Sequence, residues 1–470
     1  MTKLISFFIT IFITSNIIAQ TDNYSTAIDH FQTNYNNQNY NEIFESFSTE
    51  MKQALPLENT RQFIIGLKAQ VGNMQRKEFI QYQQGTYATY KTTFEKAILA
   101  VNISLDNQNK VNGLFIKPFE EPKKIESKIV NVLHNYPKEI AEILYSKSKD
   151  FPNNTQLSIA VIQAGKTNYY GIIKKNDSIK PILNQNKVFE ICSITKVFTA
   201  TVLASLATDK KIKLTDHIHS YYPFTFKDGI KISFQSLANH TSGLPRLPEN
   251  LNLVNENDPY KNYGKSELEE YLKNMLKPRN DSLKNYAYSN LGAGLLGHTL
   301  GLSQKSSFSE LLQKRVFDKY NMNQSYTNFQ NLGNNLVKGF NPNGEKVSNW
   351  HFDVLFGGGG ILSTTADLAK FAQAQLNPKN KELALTRKAT AVVNENMKIG
   401  LGWHLLNFEK EEELIWHNGA TGGYTSSLAI NINRNIAVII LSNVSAFHPK
   451  MASIDSICFE LIKSSDINQQ

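Results

Sequence analysis

The chain has 470 residues, and at about 150 residues per domain this allows two to three domains. Hydrophobic residues at 41% against 19% charged, with Gly 25 and Pro 14, exclude disorder, collagen and coiled coil. Fifty Lys and Arg against 41 Asp and Glu leave a net charge of +9, scattered without a basic run, which argues against nucleic acid as a partner. Two cysteines, Cys192 and Cys458, are too few for a disulfide scaffold, a zinc ribbon or an iron–sulfur protein.

Lys3 precedes a mostly apolar run from Leu4 to Thr14, and Ala19 offers a cleavage point before Gln20. We read residues 1–19 as a secretory signal peptide, because the run is shorter than the roughly 20 residues of a spanning helix. No cysteine follows it to carry a lipid anchor. Loss of Lys3 lowers the charge from +9 to +8. No other run is long enough to cross a membrane, so the mature chain is expected to be periplasmic or secreted. There Cys192 and Cys458 can pair, although buried single thiols are the preferred reading.

Residues 20–120 read as a small α+β domain. Apolar residues recur at helical spacing in Tyr24–Phe31, Ile43–Phe47 and Phe63–Leu67. The strand-like stretches Phe79–Tyr82, Thr86–Phe94, Ala97–Leu105 and Val111–Ile116 follow, with a turn at Asp106–Asn109. No cluster of histidine, cysteine or carboxylate suggests chemistry, so a spacer or docking role is expected. Lys117–Lys124 carries two prolines among charges and reads as a linker. Residues 121–134 are taken as linker and the start of a helix over Ile125–Tyr145. Residues 135–466 form the second domain, with a hairpin of Leu157–Gln163 and Tyr169–Ile173 and a final helix near Met451–Lys463.

Three clusters in the second domain carry chemistry. The first is Ser193-Ile194-Thr195-Lys196, with helical periodicity from Ser193 to Ala207. Residues three apart share a helix face, so Lys196 lies beside Ser193. A serine hydroxyl needs a base, and a desolvated lysine can serve as one. An N-cap serine with a solvated lysine is the bland alternative; the apolar flanks Ile191, Val197 and Phe198 speak against it. The second cluster is Tyr288-Ser289-Asn290, where a phenol can relay a proton and an amide can hold a carbonyl. Asn290 is also expected to cap a helix starting at Leu291. The third is His417-Asn418-Gly419, on a strand. There Gly419 allows close approach of a substrate backbone, and the Ala420 N–H can point at an oxyanion.

In this order the three clusters resemble the serine β-lactamase and penicillin-binding DD-peptidase superfamily, and most of all its class C β-lactamase-like branch. Leu214–Pro223, Leu237–Pro245 (LANHTSGLP), Gly357–Phe371 and Ile399–Leu405 also match stretches of that branch, the third with Thr364 and Asp367 as a capping box. The resemblance implies an α+β fold: an antiparallel sheet flanked by helices, beside a helical subdomain. It implies Ser193 as acylated nucleophile, Lys196 taking or tuning its proton and Tyr288 as acid or base. Asn290 and Gly419 would bind substrate, His417 would face a substrate carboxylate or aid proton transfer, and the backbone N–H groups of Ser193 and Ala420 would form the oxyanion hole. Lys196 and Tyr288 both stay open as the kinetic base. Asn418 departs from the threonine of the familiar Lys-Thr-Gly form. Residues 20–120 resemble the small cystatin or nuclear-transport-factor-like cone domain found ahead of secreted serine hydrolases.

No cofactor or metal is called for: Asp216, His217 and His219 lack a further ligand cluster. His240 could pair with Ser242, but no G-x-S-x-G elbow exists to make that a hydrolase triad. Trp350, Trp403 and Trp416 are expected in the core or cleft wall, the latter two beside the site. The expected function is a secreted serine hydrolase acting on a D-amino-acid peptide, a small ester or a β-lactam, with a cell-wall-derived partner in view. The alternative is a catalytically weak binding or sensing module, suggested by the N-terminal domain and Asn418.

Overall fold

A computed structural model describes residues 23–83, 87–120, 129–251, 258–277, 286–408 and 412–464. The expected signal peptide, residues 1–19, and residues 121–124 of the expected linker lie outside the described residues. The chain divides between Lys124 and Ile125 into two compact units.

In the first unit a helix over 23–36 is followed by the helices Tyr40–Glu45, Thr49–Ala54 and Leu57–Val71. Four antiparallel strands then run in sequence order: β1 (Met74–Gln83), β2 (Tyr87–Phe94), β3 (Ile98–Leu105) and β4 (Val111–Pro118). Ile28, Phe31 and Tyr35 lie on one face of the first helix and are buried, as their spacing requires. The Tyr35 hydroxyl donates to the Gly72 carbonyl at 2.8 Å, tying that helix to the end of the fourth.

The second unit is built on a ten-stranded sheet. Its strands are β5 (Val130–Asn131), β6 (Gln156–Gln163), β7 (Lys166–Lys175), β8 (Ser178–Ile182), β11 (Ala391–Asn394), β12 (Met397–Ile399), β13 (His404–Asn407), β14 (Glu413–Ala420), β15 (Thr425–Asn431) and β16 (Ile436–Ser442). Two further strands, β9 (Val188–Glu190) and β10 (Leu362–Thr364), pair by themselves. The spatial order in the large sheet is β11-β12-β13-β14-β15-β16-β6-β7-β8-β5, antiparallel except for β5 against β8. β6 therefore sits beside β16, so both ends of the unit meet in its centre.

One sheet face carries Leu157, Ile159, Val161, Val438 and Ile440, packed against Leu144 of the helix Lys138–Ser148 and Ile457 and Leu461 of the helix Ser453–Ser464. Strand alternation turns Ser158 to the other face, where its hydroxyl lies 2.6 Å from Thr365 Oγ1 on the helix Thr365–Leu376. The helices between β9 and β11 form the helical part of the unit. Chief among them is Thr195–Thr208, apolar all round and buried from Thr195 to Leu206. No helix among the described residues is long and apolar enough to cross a membrane.

Three local expectations need correction. No helix spans Ile125–Tyr145: Val130–Asn131 pairs with β8, and the helix begins at Lys138, directly after Pro137, which disfavours a helical residue before it. The helix expected from Ser193 begins at Thr195, after a single tight turn over Cys192–Ile194. Thr364 does cap its helix, accepting from the Asp367 N–H at 3.1 Å, but the Asp367 carboxylate does not reach back. It accepts instead from Gln324 N–H, Ser325 Oγ and Lys370 Nζ, so tertiary donors have taken it. Cys192 and Cys458 are both free and buried.

Ile457 is fully buried where the last helix meets the sheet. Ile457→Ala should lower the unfolding free energy by about 2–5 kcal/mol in urea titrations of the whole chain.

Candidate active site

β9 delivers the chain into the tight turn at Cys192–Ile194. Cys192 has φ +52°, a left-handed backbone that L residues seldom adopt. Ser193 and Lys196 emerge on one face, with Nζ 2.9 Å from Oγ. Nζ also donates to the Gly358 carbonyl at 2.6 Å. Lys196 is buried among Thr195–Leu206, and burial first, then the Arg246 guanidinium, push its ammonium well below the usual lysine range. An amine that is neutral can accept a proton. The carbonyl it binds belongs to a glycine segment wedged between two helices. At Gly357 a Cβ would lie 2.7 Å from the Ala293 carbonyl and 3.1 Å from the Gly297 Cα, so only glycine lets the segment through.

Tyr288 stands on the other side of this pair. Its ring centre is 4.9 Å from Lys196 Nζ and 5.2 Å from the Arg246 guanidinium. Burial raises its phenol, and Arg246 and the nearby Ser193 hydroxyl oppose that shift. Three histidines surround the ring: His240 at 4.6 Å, His417 at 6.4 Å and His404 at 6.5 Å. Burial lowers all three, His404 to about 4, so the ring lies among neutral imidazoles.

The helix behind Tyr288 is capped by Ser289, whose Oγ accepts from the Gly292 N–H at 2.8 Å; the expected cap, Asn290, is the first helical residue. Asn290 is thereby released toward the cavity. Its Nδ2 donates to the Tyr260 hydroxyl at 3.2 Å, while its buried Oδ1 has no partner among the described residues.

β14 supplies the third side. A Cβ on Gly419 would lie 2.6 Å from Ser193 N and 2.7 Å from Cys192 Cβ, so the strand can run against the nucleophile turn only as glycine. Strand alternation puts His417 and Gly419 on this side and Asn418 on the other, where its amide donates to Asp455 Oδ2 at 2.8 Å. Asn418 therefore does not face the site. His417 is not a cation: it is neutral, its Nδ1 donates to the Asn418 carbonyl at 2.6 Å, and its buried Nε2 has no partner among the described residues. Ser193, Asn290 and Ala420 line a small cavity of about 30 Å³ together with Tyr260, Trp350 and Phe352. Of the tryptophans it is Trp350 that walls the cavity. Trp403 is buried in the core, and Trp416 packs against His404 and Phe459.

Four neighbours went unnoticed in the sequence. Glu190 lies buried three residues before Ser193 and accepts from Asn349 Nδ2 (2.7 Å), Trp350 N–H (3.2 Å) and Thr421 Oγ1 (2.8 Å). Burial lifts its carboxyl to about 7. A carboxylate inside an otherwise apolar strand was its one signal. Arg246 directly follows the LANHTSGLP stretch, which was its signal. His404 lies within the Ile399–Leu405 stretch, which was its signal; Tyr260 had none. Among the described residues no group of three or more histidine, cysteine or carboxylate side chains could hold a metal.

Comparison with known proteins gives the family. Residues 153–455, well over half of the chain, match the model of the family described as Beta-lactamase. The chain belongs to the beta-lactamase family. This is a serine hydrolase family of the β-lactamase/DD-peptidase type. Residues 29–114 match a protein of unknown function, DUF3887. A beta-lactamase of Pseudomonas fluorescens is 28% identical over 64% of this chain and 93% of its own length. Beta-lactamase-like protein 4 of Dictyostelium discoideum is 27% identical over 55% of this chain. Penicillin-binding protein 4* of Bacillus subtilis is 24% identical over 56% of this chain. The matches span only 51% and 62% of these last two relatives. A solved beta-lactamase/D-alanine carboxypeptidase from Pseudomonas syringae shares the fold, with a TM-score of 0.59 at 22% identity over 69% of this chain and 98% of its own.

The buried histidines make stability fall with acid. The unfolded chain binds each proton near 6.5, whereas folded His404 resists until about 4, so between these values unfolding takes up protons and acid favours it. Urea midpoints should decline from pH 6.5 toward 4. His404→Gln should flatten that slope by about 1.4 kcal/mol per pH unit.

Proposed function

We propose that this chain is a secreted serine hydrolase that forms an acyl-enzyme at Ser193. The observation that carries the reading is the buried Lys196 amine 2.9 Å from the Ser193 hydroxyl, its hold on a proton weakened by burial. Ser193 Oγ attacks the carbonyl carbon of an amide or ester, and its proton passes to the Lys196 amine, directly or through the Tyr288 hydroxyl, which hands on its own proton as it accepts. The absence of a class A type glutamate motif favours the class C-like route through tyrosine. Backbone N–H groups of Ser193 and Ala420 are assigned to the oxyanion, a role supported by their place on one cavity. Tyr288 returns a proton to the leaving group as the tetrahedral species collapses, then takes one from the water that frees the acyl group. The unpartnered Asn290 Oδ1 suits the N–H of a substrate amide. Neutral His417 and the close-approach strand at Gly419 form the facing edge. Its imidazole suits proton transfer better than carboxylate capture.

The substrate class is a D-amino-acid peptide, a small ester or a β-lactam. The leader at 1–19 supports a periplasmic or secreted address, and the +8 charge of the processed chain suits the cell envelope. The N-terminal unit, residues 20–120, is assigned an accessory role. A catalytically weak penicillin-binding module is the second reading, suggested by the accessory unit at residues 20–120.

A panel of D-Ala-D-Ala peptides, simple esters and nitrocefin, with fluorophosphonate and fluorescent penicillin as labels, tests this. Native protein should label and turn over at least one substrate, and Ser193→Ala should lower turnover at least ~10³-fold. Equal labelling of native and Ser193→Ala protein would overturn the reading.

A further inference from the structure

His240 is neither paired with Ser242 nor part of the proton path, yet it touches the site from a position that three independent observations make unusual. It is 2% exposed, so its polar ring is held inside the protein. Its backbone has φ +60°, in the left-handed region. Both of its hydrogen-bonding groups of interest point at one short stretch: the Ala287 N–H donates to the His240 carbonyl at 2.8 Å, and the Ser289 N–H donates to His240 Nδ1 at 3.2 Å. The residue between those two donors is Tyr288, and the His240 ring lies against it, with centres 4.6 Å apart.

We infer that His240 is the positioning residue of Tyr288, gripping the chain on both sides of the phenol and backing its ring.

Residues 286–289 belong to no helix or strand, so regular backbone pairing does not fix the phenol. The loop of residues 240–246 fixes it instead. Besides the two bonds from His240, the Pro245 carbonyl accepts from Ser289 Oγ at 2.6 Å, and the Arg246 carbonyl accepts from the N–H groups of Asn290 and Leu291. Of these five bonds, one uses a side chain of that loop as acceptor: the His240 imidazole. A left-handed residue at a functional site is held there by its surroundings, and here the unusual backbone turns carbonyl and imidazole toward the same segment. Acceptance at Nδ1 puts the ring proton on Nε2 and needs a neutral ring, which burial provides. His240 does not touch the reacting atoms in this arrangement; it acts through Tyr288.

The inference rests on the proposed role of Tyr288, and the experiment separates the two. Steady-state kinetics on a p-nitrophenyl ester or nitrocefin, whichever the native protein turns over, are compared for His240→Leu, His240→Gly, His240→Asn and Tyr288→Phe. Leucine fills the space without an acceptor. Glycine relieves the backbone without an acceptor. Asparagine tolerates left-handed φ and offers Oδ1 to the Ser289 N–H. His240→Leu and His240→Gly should lose about 10- to 100-fold in kcat, the cost of a reacting group displaced by roughly an ångström, with KM changed less than about threefold. His240→Asn should recover most of that loss. A His240→Leu enzyme with native kcat beside an inactive Tyr288→Phe would overturn the inference and leave the role of Tyr288 standing. An active Tyr288→Phe would overturn both. Should His240→Leu fail to fold, equal kcat in the Asn and Gly variants would overturn the inference.

Discussion

The lysine amine beside Ser193 is the group around which the second unit is arranged. An ammonium withdrawn from water without a counter-ion would cost several kcal/mol, and no carboxylate is bonded to Lys196 among the described residues. The protein eases this by lowering the amine's affinity for its proton, with the Gly358 carbonyl as acceptor and the Ser193 hydroxyl as neighbour. That choice demands a dry surround. The helix bearing Lys196 is apolar on every face, and the glycine segment at 357–358 lets a second helix close over it. Packing and pKa are one arrangement here: a leakier core would return the lysine to water and to its charge.

The phenol of Tyr288 is set by the same economy of charge. Arg246 is the cation that faces it from the exposed side, and the histidines behind it are neutral because they are buried. The ring therefore sees positive potential from one direction and polarisable, uncharged rings from the others. Glu190 adds a buried carboxyl that joins the Trp350 segment, Thr421 and the strand ahead of the nucleophile. The walls of the cavity are thus tied to the turn that presents Ser193.

Much of this was legible in the residues. Helical spacing found the helix of Ile28, Phe31 and Tyr35, alternation found the four-stranded meander, and the order Ser193–Lys196, Tyr288–Asn290, His417–Gly419 pointed to the family. Where local reasoning failed, a tertiary partner outweighed it. Asp367 looks like half of a capping box, but buried donors from residues 324, 325 and 370 claim its carboxylate. Asn290 looks like a cap, but Ser289 lies one residue earlier with its hydroxyl in reach of Gly292. Between the two roles left open for His417, the local pattern does not choose; burial is what removes its charge.

By itself the sequence determined the kinds of residue available for chemistry and their order, because nucleophile, amine and phenol are side-chain identities and their local spacing follows from helix and strand periods. Strand alternation also places His417 and Gly419 on one face and Asn418 on the other, although Asn418 read in the sequence as a departure at the site itself. The tertiary structure decided which of these groups are charged and which neighbours hold them. Protonation depends on burial and on residues such as Arg246, 50 positions from Lys196, and the grip of His240 on Tyr288 joins loops 48 residues apart. Distances through space of that kind are set by packing, and no local pattern in the chain encodes them.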